Sequence, residues 1–335
     1  MKSPESKNHT SRRFFWILFI VLAALALSLF LGRYPRLILT PFSALHDDEL
    51  ARNLVLHLRL PRILAAFLLG MVLSAAGSVF QMIFRNPLVD SGFLGVSQGA
   101  AFGASLAIVF LRGSTLAVQG CAAAFALIGL AASYNLARRF PLSDWVLRLI
   151  LAGIAVAALF SAGTGALKYL ADPQRQLPDI TFWLLGGLWG ITWKDIGHLL
   201  PIVVPCLLVI LLMRWRLNLL SLRDETSFSL GVAPGRERLI LLIAAAAATA
   251  AAVSKAGSIA WVGLIVPHIA RRMVGSDAKR SVPAAMLLGG VFVLFCDDLS
   301  RILLSGEIPL GILTSLFGTS IFLILLLRRG LKVKA

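Results

Sequence analysis

Long apolar runs with almost no charge recur along nearly the whole chain, and they constrain the fold more than any other feature of the sequence. A helix needs about 20 apolar residues to cross the hydrocarbon core of a bilayer, and most of these runs approach that length. We therefore predict an all-α polytopic membrane protein with about ten transmembrane helices in one bundle. The predicted spans are residues 14–31, 63–83, 93–111, 113–137, 149–167, 196–213, 239–254, 256–270, 281–296 and 308–327.

The composition leaves little room for a separate soluble domain. Hydrophobic residues make up 58% of the 335 residues and charged residues only 14%, whereas soluble domains carry about a quarter charged residues. No Pro/Ser-rich linker divides the chain, so residues 1–335 are predicted to form a single transmembrane domain with terminal tails at 1–13 and 328–335. The first apolar run is long for a signal peptide and no cleavage pattern follows it, which predicts a retained helix.

The charge distribution predicts the orientation of the chain. The formal net charge is +16, and most of the 32 Lys and Arg residues fall in segments that ten helices would place on one side. Lys and Arg are enriched in cytoplasmic loops, so we expect both termini in the cytoplasm and the chain in the inner (cytoplasmic) membrane. The basic charge is then explained by membrane topology, and we expect no nucleic-acid partner.

Two apolar segments differ from a simple span. Residues 256–270 are interrupted by Gly257, Gly263 and Pro267, which predicts a broken or partial span lined by protein. Residues 180–193 are too short to span and contain three tryptophans, which is typical of an interfacial or re-entrant helix.

The sequence contains no recognisable catalytic or metal-binding motif. Its five histidines are scattered, and no phosphate-binding Gly-Lys-Ser/Thr motif is present, so we expect no metal, no cofactor and no ATP hydrolysis in this chain. An ion-coupled secondary transporter is an alternative function, although it needs charged groups in mid-membrane. The exceptions are Asp297 and Asp298, toward the outer end of the ninth predicted helix, and Asp297 can pair with Arg301 one turn later. A membrane-embedded enzyme is a further alternative, which the scattered titratable residues oppose.

Residues 217–232, LNLLSLRDETSFSLGV, form the longest mixed polar stretch outside the tails. Asp224 and Glu225 follow a leucine-rich part, and Gly231 suits the left-handed residue that often ends a helix. The pattern predicts one or two short amphipathic helices at the membrane surface. Lipid headgroups are one possible partner, but the two carboxylates favour docking of a cytosolic protein.

Four stretches resemble the FecCD family, the permease subunits of ATP-binding-cassette (ABC) importers for iron-siderophores, haem and cobalamin. Residues 58–100 resemble its second and third helices with their Asn-Pro-Leu loop, and residues 217–232 resemble its coupling loop. Residues 257–277 resemble its Gly-Phe-Val-Gly-Leu-Val-Pro-His-Ile-Ala-Arg signature, with Trp261 where phenylalanine is usual. Residues 297–326 resemble its closing pair of helices.

The resemblance implies a type II ABC importer permease that works by alternating access. Its implied partners are a second permease copy or close paralogue, two ATPase subunits, a periplasmic or lipid-anchored substrate-binding protein, and membrane lipid. ATP and Mg²⁺ would bind to the partner ATPase. Arg223 stands where the family usually has glycine. The implied ATPase-coupling residues are Leu217, Leu219, Leu222, Arg223, Asp224, Glu225, Leu230 and Gly231.

The resemblance also implies a docking site and a substrate class. Arg59, Arg62 and Arg301 match arginines that meet glutamates of the binding protein, and guanidinium groups pair well with carboxylates. The alternative for these arginines is helix-end snorkelling or local pairing with Asp297 and Asp298. An iron(III)-siderophore is the expected substrate, with cobalamin or haem as alternatives. Small or polar positions are expected to line the translocation pathway, with helix packing as the alternative for the glycines. They are Gly95, Ser97, Gln98, Gly99 and Gly103.

Overall fold

The computed structural model describes residues 4–34, 38–39, 48–90, 92–111, 113–142, 144–304 and 306–327, and these residues form an all-α bundle. The predicted C-terminal tail at 328–335 lies outside the described residues. The helices are α1 Pro4–Phe30, α2 Glu49–Leu54, α3 Leu60–Ile83, α4 Val96–Phe110, α5 Thr115–Arg139, α6 Trp145–Leu170, α7 Gln176–Leu185, α8 Trp193–Leu220, α9 Asp224–Ser229, α10 Pro234–Ala256, α11 Val262–Val274, α12 Ala278–Ile302 and α13 Leu310–Leu327.

Two short connections complete the described secondary structure. A π-helical turn, Val55–Arg59, joins α2 to α3, so that residues 49–83 form one long helical segment. The strands β1 (Leu31–Gly32) and β2 (Ile38–Leu39) pair antiparallel after α1.

The predicted fold class is confirmed. Eight helical segments in the described part of the chain are long and apolar enough to cross a membrane. The helices α4 and α11, of 15 and 13 residues, account for the two remaining predicted spans. Each of the ten predicted windows overlaps one of these helices.

Some helix boundaries differ from the prediction. The helix α1 begins at Pro4, inside the predicted tail at 1–13, because proline is well suited to the first turn of a helix and no helix breaker follows. The helix α8 continues to Leu220, seven residues beyond the predicted span at 196–213. The first residues of the coupling segment therefore belong to α8, and the segment contains one short helix of its own, α9.

The predicted break at 256–270 is confirmed at Gly257, whereas Gly263 and Pro267 lie inside α11 and do not interrupt it. The helix α10 ends at Ala256, the backbone of Gly257 is left-handed (φ 69°), and α11 starts only at Val262. The apolar segment at 180–193 is helical only as far as Leu185. The backbone N–H of Gly187 then donates to Ala256 O at 2.8 Å, and Leu310 N–H donates to Gly186 O at 2.9 Å. Irregular backbone at this depth is thus bonded to protein, as a membrane requires.

The helix α3 is the most enclosed span of the bundle and orients its two ends. Small residues allow close approach: a Cβ added to Gly70 would overlap Gly289 O on α12, and one added to Gly77 would overlap Gly263 O on α11. At 1.5 Å per residue α3 is about 36 Å long. We call the end of the bundle near the start of α3 the Arg62 end. The opposite end, near the last turn of α3, is called the Asp224 end, after the first residue of α9.

Candidate functional site

The helix α9 lies at the Asp224 end and is closed by a well-formed C-terminal cap. Gly231 has a left-handed backbone (φ 77°), and its N–H donates to Phe228 O at 3.0 Å. The N–H of Val232 donates to Ser227 O at 3.1 Å, which completes a Schellman motif. The predicted left-handed position of Gly231 is confirmed, and this motif turns the chain back toward α10.

The exposed part of the predicted coupling segment is residues 222–231, apart from the buried Ser227. Leu222, Phe228 and Leu230 are 39%, 74% and 55% exposed, an unusual density of apolar side chains on a polar connection. We call Leu222, Arg223, Glu225, Phe228 and Leu230 the coupling surface. The sequence interpretation missed Phe228, although an aromatic residue inside a polar stretch is itself a signal of contact with a partner.

The leucines at the start of the segment belong to a helix of the bundle and not to the exposed coupling surface. Leu217 and Leu219 lie in the last turn of α8, and Leu217 is fully buried against the core. Its side chain cannot be part of a docking surface in this structure. The hydroxyl of Ser227 donates to Leu219 O at 2.7 Å, so this part of the segment anchors α9 to α8.

Two arginines of the same chain bind the carboxylate of Asp224, whose side chain is 54% exposed. Arg238 of α10 donates to both carboxylate oxygens, at 2.8 and 2.5 Å, and Arg85 lies 3.4 Å from Oδ1. The Arg238 guanidinium therefore holds the pKa of Asp224 below its usual range, and Arg85 adds to this effect while partial burial opposes it. Asp224 is consequently ionised at neutral pH.

At the Arg62 end, the predicted docking arginines are engaged within the chain. Arg62 donates from Nε to both oxygens of the fully buried Asp297, at 3.0 and 3.1 Å, and from Nη1 to Glu307 at 2.8 Å. Arg301 lies 3.2 Å from Asp297 and also pairs with Asp298. The side chains of Arg62 and Arg301 are only 11% and 9% exposed.

In the structure, Arg62 and Arg301 thus form local ion pairs, which the sequence analysis gave as the alternative to docking. Arg59 is half-buried, and its guanidinium donates to Tyr34 O at 3.0 Å. A cavity of about 380 Å³ at this end is lined by all three arginines together with Glu307. Docking of a binding protein there stays a prediction.

The three glycines predicted to line the pathway lie close to neighbouring helices. A Cβ added to Gly99 would overlap Phe125 O, and one added to Gly103 would overlap Cys121 O, both on α5. Gly95, which precedes α4, has φ 76° and lies against Val156 of α6. These glycines allow close packing within the chain, and their pathway role stays a prediction. Ser97 is half-buried and Gln98 is exposed, and their pathway role stays a prediction.

A mainly apolar groove with several hydroxyl groups, which the sequence interpretation missed, runs along α13. It has a volume of about 670 Å³ and is lined by Ser258, Ser315, Thr319 and Ser320, together with apolar residues of α7 and α13. Only 22% of the apolar stretch that forms α13 is buried within the protein. Ser315 and Thr319 are four residues apart on α13, which places them on one face of that helix, and Ser320 follows Thr319 directly.

A charged pair inside the bundle also escaped the sequence interpretation. Lys255, near the end of α10, donates to Asp195 at 2.7 Å and to Gln119 at 2.5 Å, and its side chain is 9% exposed. Asp195 also accepts from the N–H of Thr192 at 3.0 Å. The lysine has its hydrogen-bond partners within the protein, and three spans are joined near the Arg62 end.

Comparison with known proteins places the whole bundle in one family. The sequence profile of the FecCD transport family matches residues 19–328, which is nearly the entire chain. The chain belongs to the FecCD transport family. It is therefore a membrane-spanning permease subunit of an ABC importer, and the family implies partner ATPases and a substrate-binding protein.

Relatives within the FecCD family differ in substrate. The chain is 40% identical over 291 residues to the "Probable iron chelatin transport system permease protein" of Helicobacter pylori, covering 85% of this chain and 86% of that one. It is 35% identical over 328 residues to the "Molybdate import system permease protein MolB" of Haemophilus influenzae, covering 94% and 96%. A solved metal-chelate type ABC transporter in an inward-facing conformation superimposes with a TM-score of 0.86 at 34% identity, covering 94% of this chain and 98% of that one.

Proposed function

We propose that this FecCD permease carries an iron(III)-siderophore complex across the cytoplasmic membrane by alternating access, driven by two partner ATPases. In this proposal the Asp224 end and both termini face the cytoplasm. ATP and Mg²⁺ bind to the ATPases, and a periplasmic or lipid-anchored binding protein delivers the substrate to the Arg62 end. Cobalamin and haem are the alternative substrates.

The coupling surface is the observation that carries the proposal. Phe228 and Leu230 project from a short helix that is closed by its own cap and anchored to α8 and α10. An exposed apolar patch on a rigid polar connection is what a partner groove can bind. Arginines of four different segments, Arg85, Arg148, Arg223 and Arg238, lie around this connection, which agrees with a cytoplasmic location.

The groove along α13 supports a paired assembly. In a single chain the groove is open and α13 is mostly exposed, so in a membrane its hydroxyls would face lipid tails. Hydroxyls gain nothing from contact with hydrocarbon, and Ser320 in fact donates to its own backbone, to Leu316 O at 2.8 Å. A second copy of the chain facing this groove would enclose a mixed polar pathway between the two subunits.

The substrate is tested by uptake into proteoliposomes that contain the permease, its ATPase and its binding protein. Relatives are named for molybdate, iron chelate, hemin and cobalamin transport, so the test panel is a ferric siderophore, haem, cobalamin and molybdate offered in parallel. We expect accumulation of the ferric siderophore, abolished when the ATPase is inactivated by mutation. ATP-dependent accumulation of another panel member instead would contradict the substrate assignment and retain the mechanism.

A further inference from the structure

The carboxylate of Asp224 is engaged by arginines of its own chain, although its side chain is 54% exposed. It receives two hydrogen bonds from Arg238 on α10 and lies 3.4 Å from Arg85, which follows α3. The side chains of Arg223 and Glu225, its neighbours on α9, make no hydrogen bond or ion pair with the described residues. Asp224 therefore differs from the residues on either side of it.

Arg238 is a buried anchor for this carboxylate. Its side chain is 2% exposed, it donates to Leu220 O at 3.3 Å, and its guanidinium lies 5.4 Å from the ring centre of Trp145. A buried guanidinium is costly without an anionic partner. The partner that Arg238 has is Asp224, so the position of α9 is tied to that of α10.

Arg85 connects the same carboxylate to α3 and has a strained backbone. Its φ of 53° is left-handed, and it occupies the position in a Schellman motif that glycine usually takes. The motif is defined by Asn86 N–H donating to Gln81 O at 3.1 Å and Arg85 N–H donating to Met82 O at 3.3 Å. A side chain kept at a strained position indicates a role for that side chain. The guanidinium of Arg85 donates to Leu222 O as well as facing Asp224.

The connection continues to the broken span. Gln81, in the last turn of α3, donates to Gly263 O at 3.1 Å and to Leu264 O at 3.0 Å, at the start of α11. Its side-chain oxygen accepts a hydrogen bond from Arg271 of the same helix. A displacement of α9 can therefore reach α3, α10 and α11 through short polar contacts.

We propose that Asp224, Arg85 and Arg238 form a clamp, in which Asp224 is a positioning residue that transmits movement of α9 to α3 and α10. This inference rests on the proposed function, because it requires an ATPase that moves α9. It separates two roles within the coupling segment. The coupling surface binds the partner, and the clamp carries the partner's motion into the membrane helices.

The test compares Asp224→Asn with Glu225→Gln, a matched amide substitution on the neighbouring residue. Each permease is assembled with its ATPase and binding protein in proteoliposomes. We measure the amount of ATPase that co-purifies, the rate of ATP hydrolysis and the substrate uptake per ATP. The substrate is the panel member that the parent complex accumulates. We expect D224N to retain the ATPase and hydrolyse ATP while its uptake per ATP falls roughly tenfold. Glu225 belongs to the coupling surface, so E225Q should bind less ATPase, while the complexes that do form keep the parent's uptake per ATP.

Arg85→Gly provides a second and independent variant. Glycine suits the left-handed backbone at this position, so R85G should melt no lower than the parent while it uncouples transport as D224N does. The double variant should be no worse than either single variant, because the two residues act in one contact.

Several outcomes would overturn the clamp. Loss of ATPase association in D224N would make Asp224 a docking residue, and unchanged uptake per ATP in D224N or R85G would show that the contact transmits nothing. Absence of ATP-driven uptake in the parent complex itself would instead refute the proposed function, and the clamp with it.

Discussion

The substitution Asp297→Asn tests whether Arg62 and Arg301 are held inside the bundle. Asp297 has no exposed side-chain surface and lies within 3.2 Å of both guanidiniums, which are themselves about nine-tenths buried. Removing one partner of a buried ion pair costs about 3–5 kcal/mol. Asparagine keeps one acceptor oxygen, and Glu307 and Asp298 remain as partners, so we expect the lower limit of about 3 kcal/mol.

The assay is thermal unfolding of the purified permease at a fixed scan rate, because unfolding of such proteins is often irreversible. At roughly 2–4 °C per kcal/mol, D297N should lower the apparent Tm by about 6–12 °C. The matched control is Glu307→Gln, which removes the half-exposed partner of Arg62 and should cost about 1 kcal/mol or less. If D297N melted with the parent, or no lower than E307Q, the reasoning would be wrong and both arginines would be available for docking.

Three further predictions address packing, docking and pH. Gly77→Ala should lower stability by about 1–3 kcal/mol in a thermal melt, since its Cβ would overlap a carbonyl oxygen of α11, whereas Gly165→Ala, which meets nothing within 4 Å, should not. Phe228→Glu should reduce ATPase co-purification roughly tenfold without changing the permease Tm, and Leu142→Glu, an exposed leucine on a nearby connection, is its control; equal loss in both would oppose the coupling surface. Because Asp224 has a lowered pKa, its contribution to stability is present above the usual carboxyl pKa of about 3.9 and is lost only as pH falls through the lower folded value. The Tm difference between the parent and D224N should therefore be constant from about pH 5 to pH 8, and a change in that window would contradict the assignment.

Local features of the fold could be predicted from the sequence because their causes are local. The break before α11 follows from Gly257, and the cap of α9 follows from Gly231. Both residues have a positive φ, which glycine adopts readily because it has no Cβ atom. The number of spans follows from the apolar runs. The end of α8 at Leu220 was missed, because leucines in a last helical turn and leucines in a separate surface helix have the same pattern.

Features that depend on distant residues could not be predicted in this way. Asp224 and Arg85 are 139 positions apart, and no spacing rule relates them. Small residues on α4 suit either a pathway or close packing, and the close approach of α5 to Gly99 and Gly103 is seen only in the structure. Lys255 escaped notice because it lies between two predicted spans, whereas the structure has it paired with Asp195 inside the bundle.

The most direct test of the proposed mechanism separates its two possible energy sources. Uptake is measured in proteoliposomes that contain the complete complex, once with ATP present and the proton gradient collapsed by an ionophore, and once with the gradient intact and an ATPase that cannot hydrolyse ATP. We predict that uptake persists in the first condition and is lost in the second. Uptake that followed the gradient and ignored ATP would contradict the account and support an ion-coupled transporter.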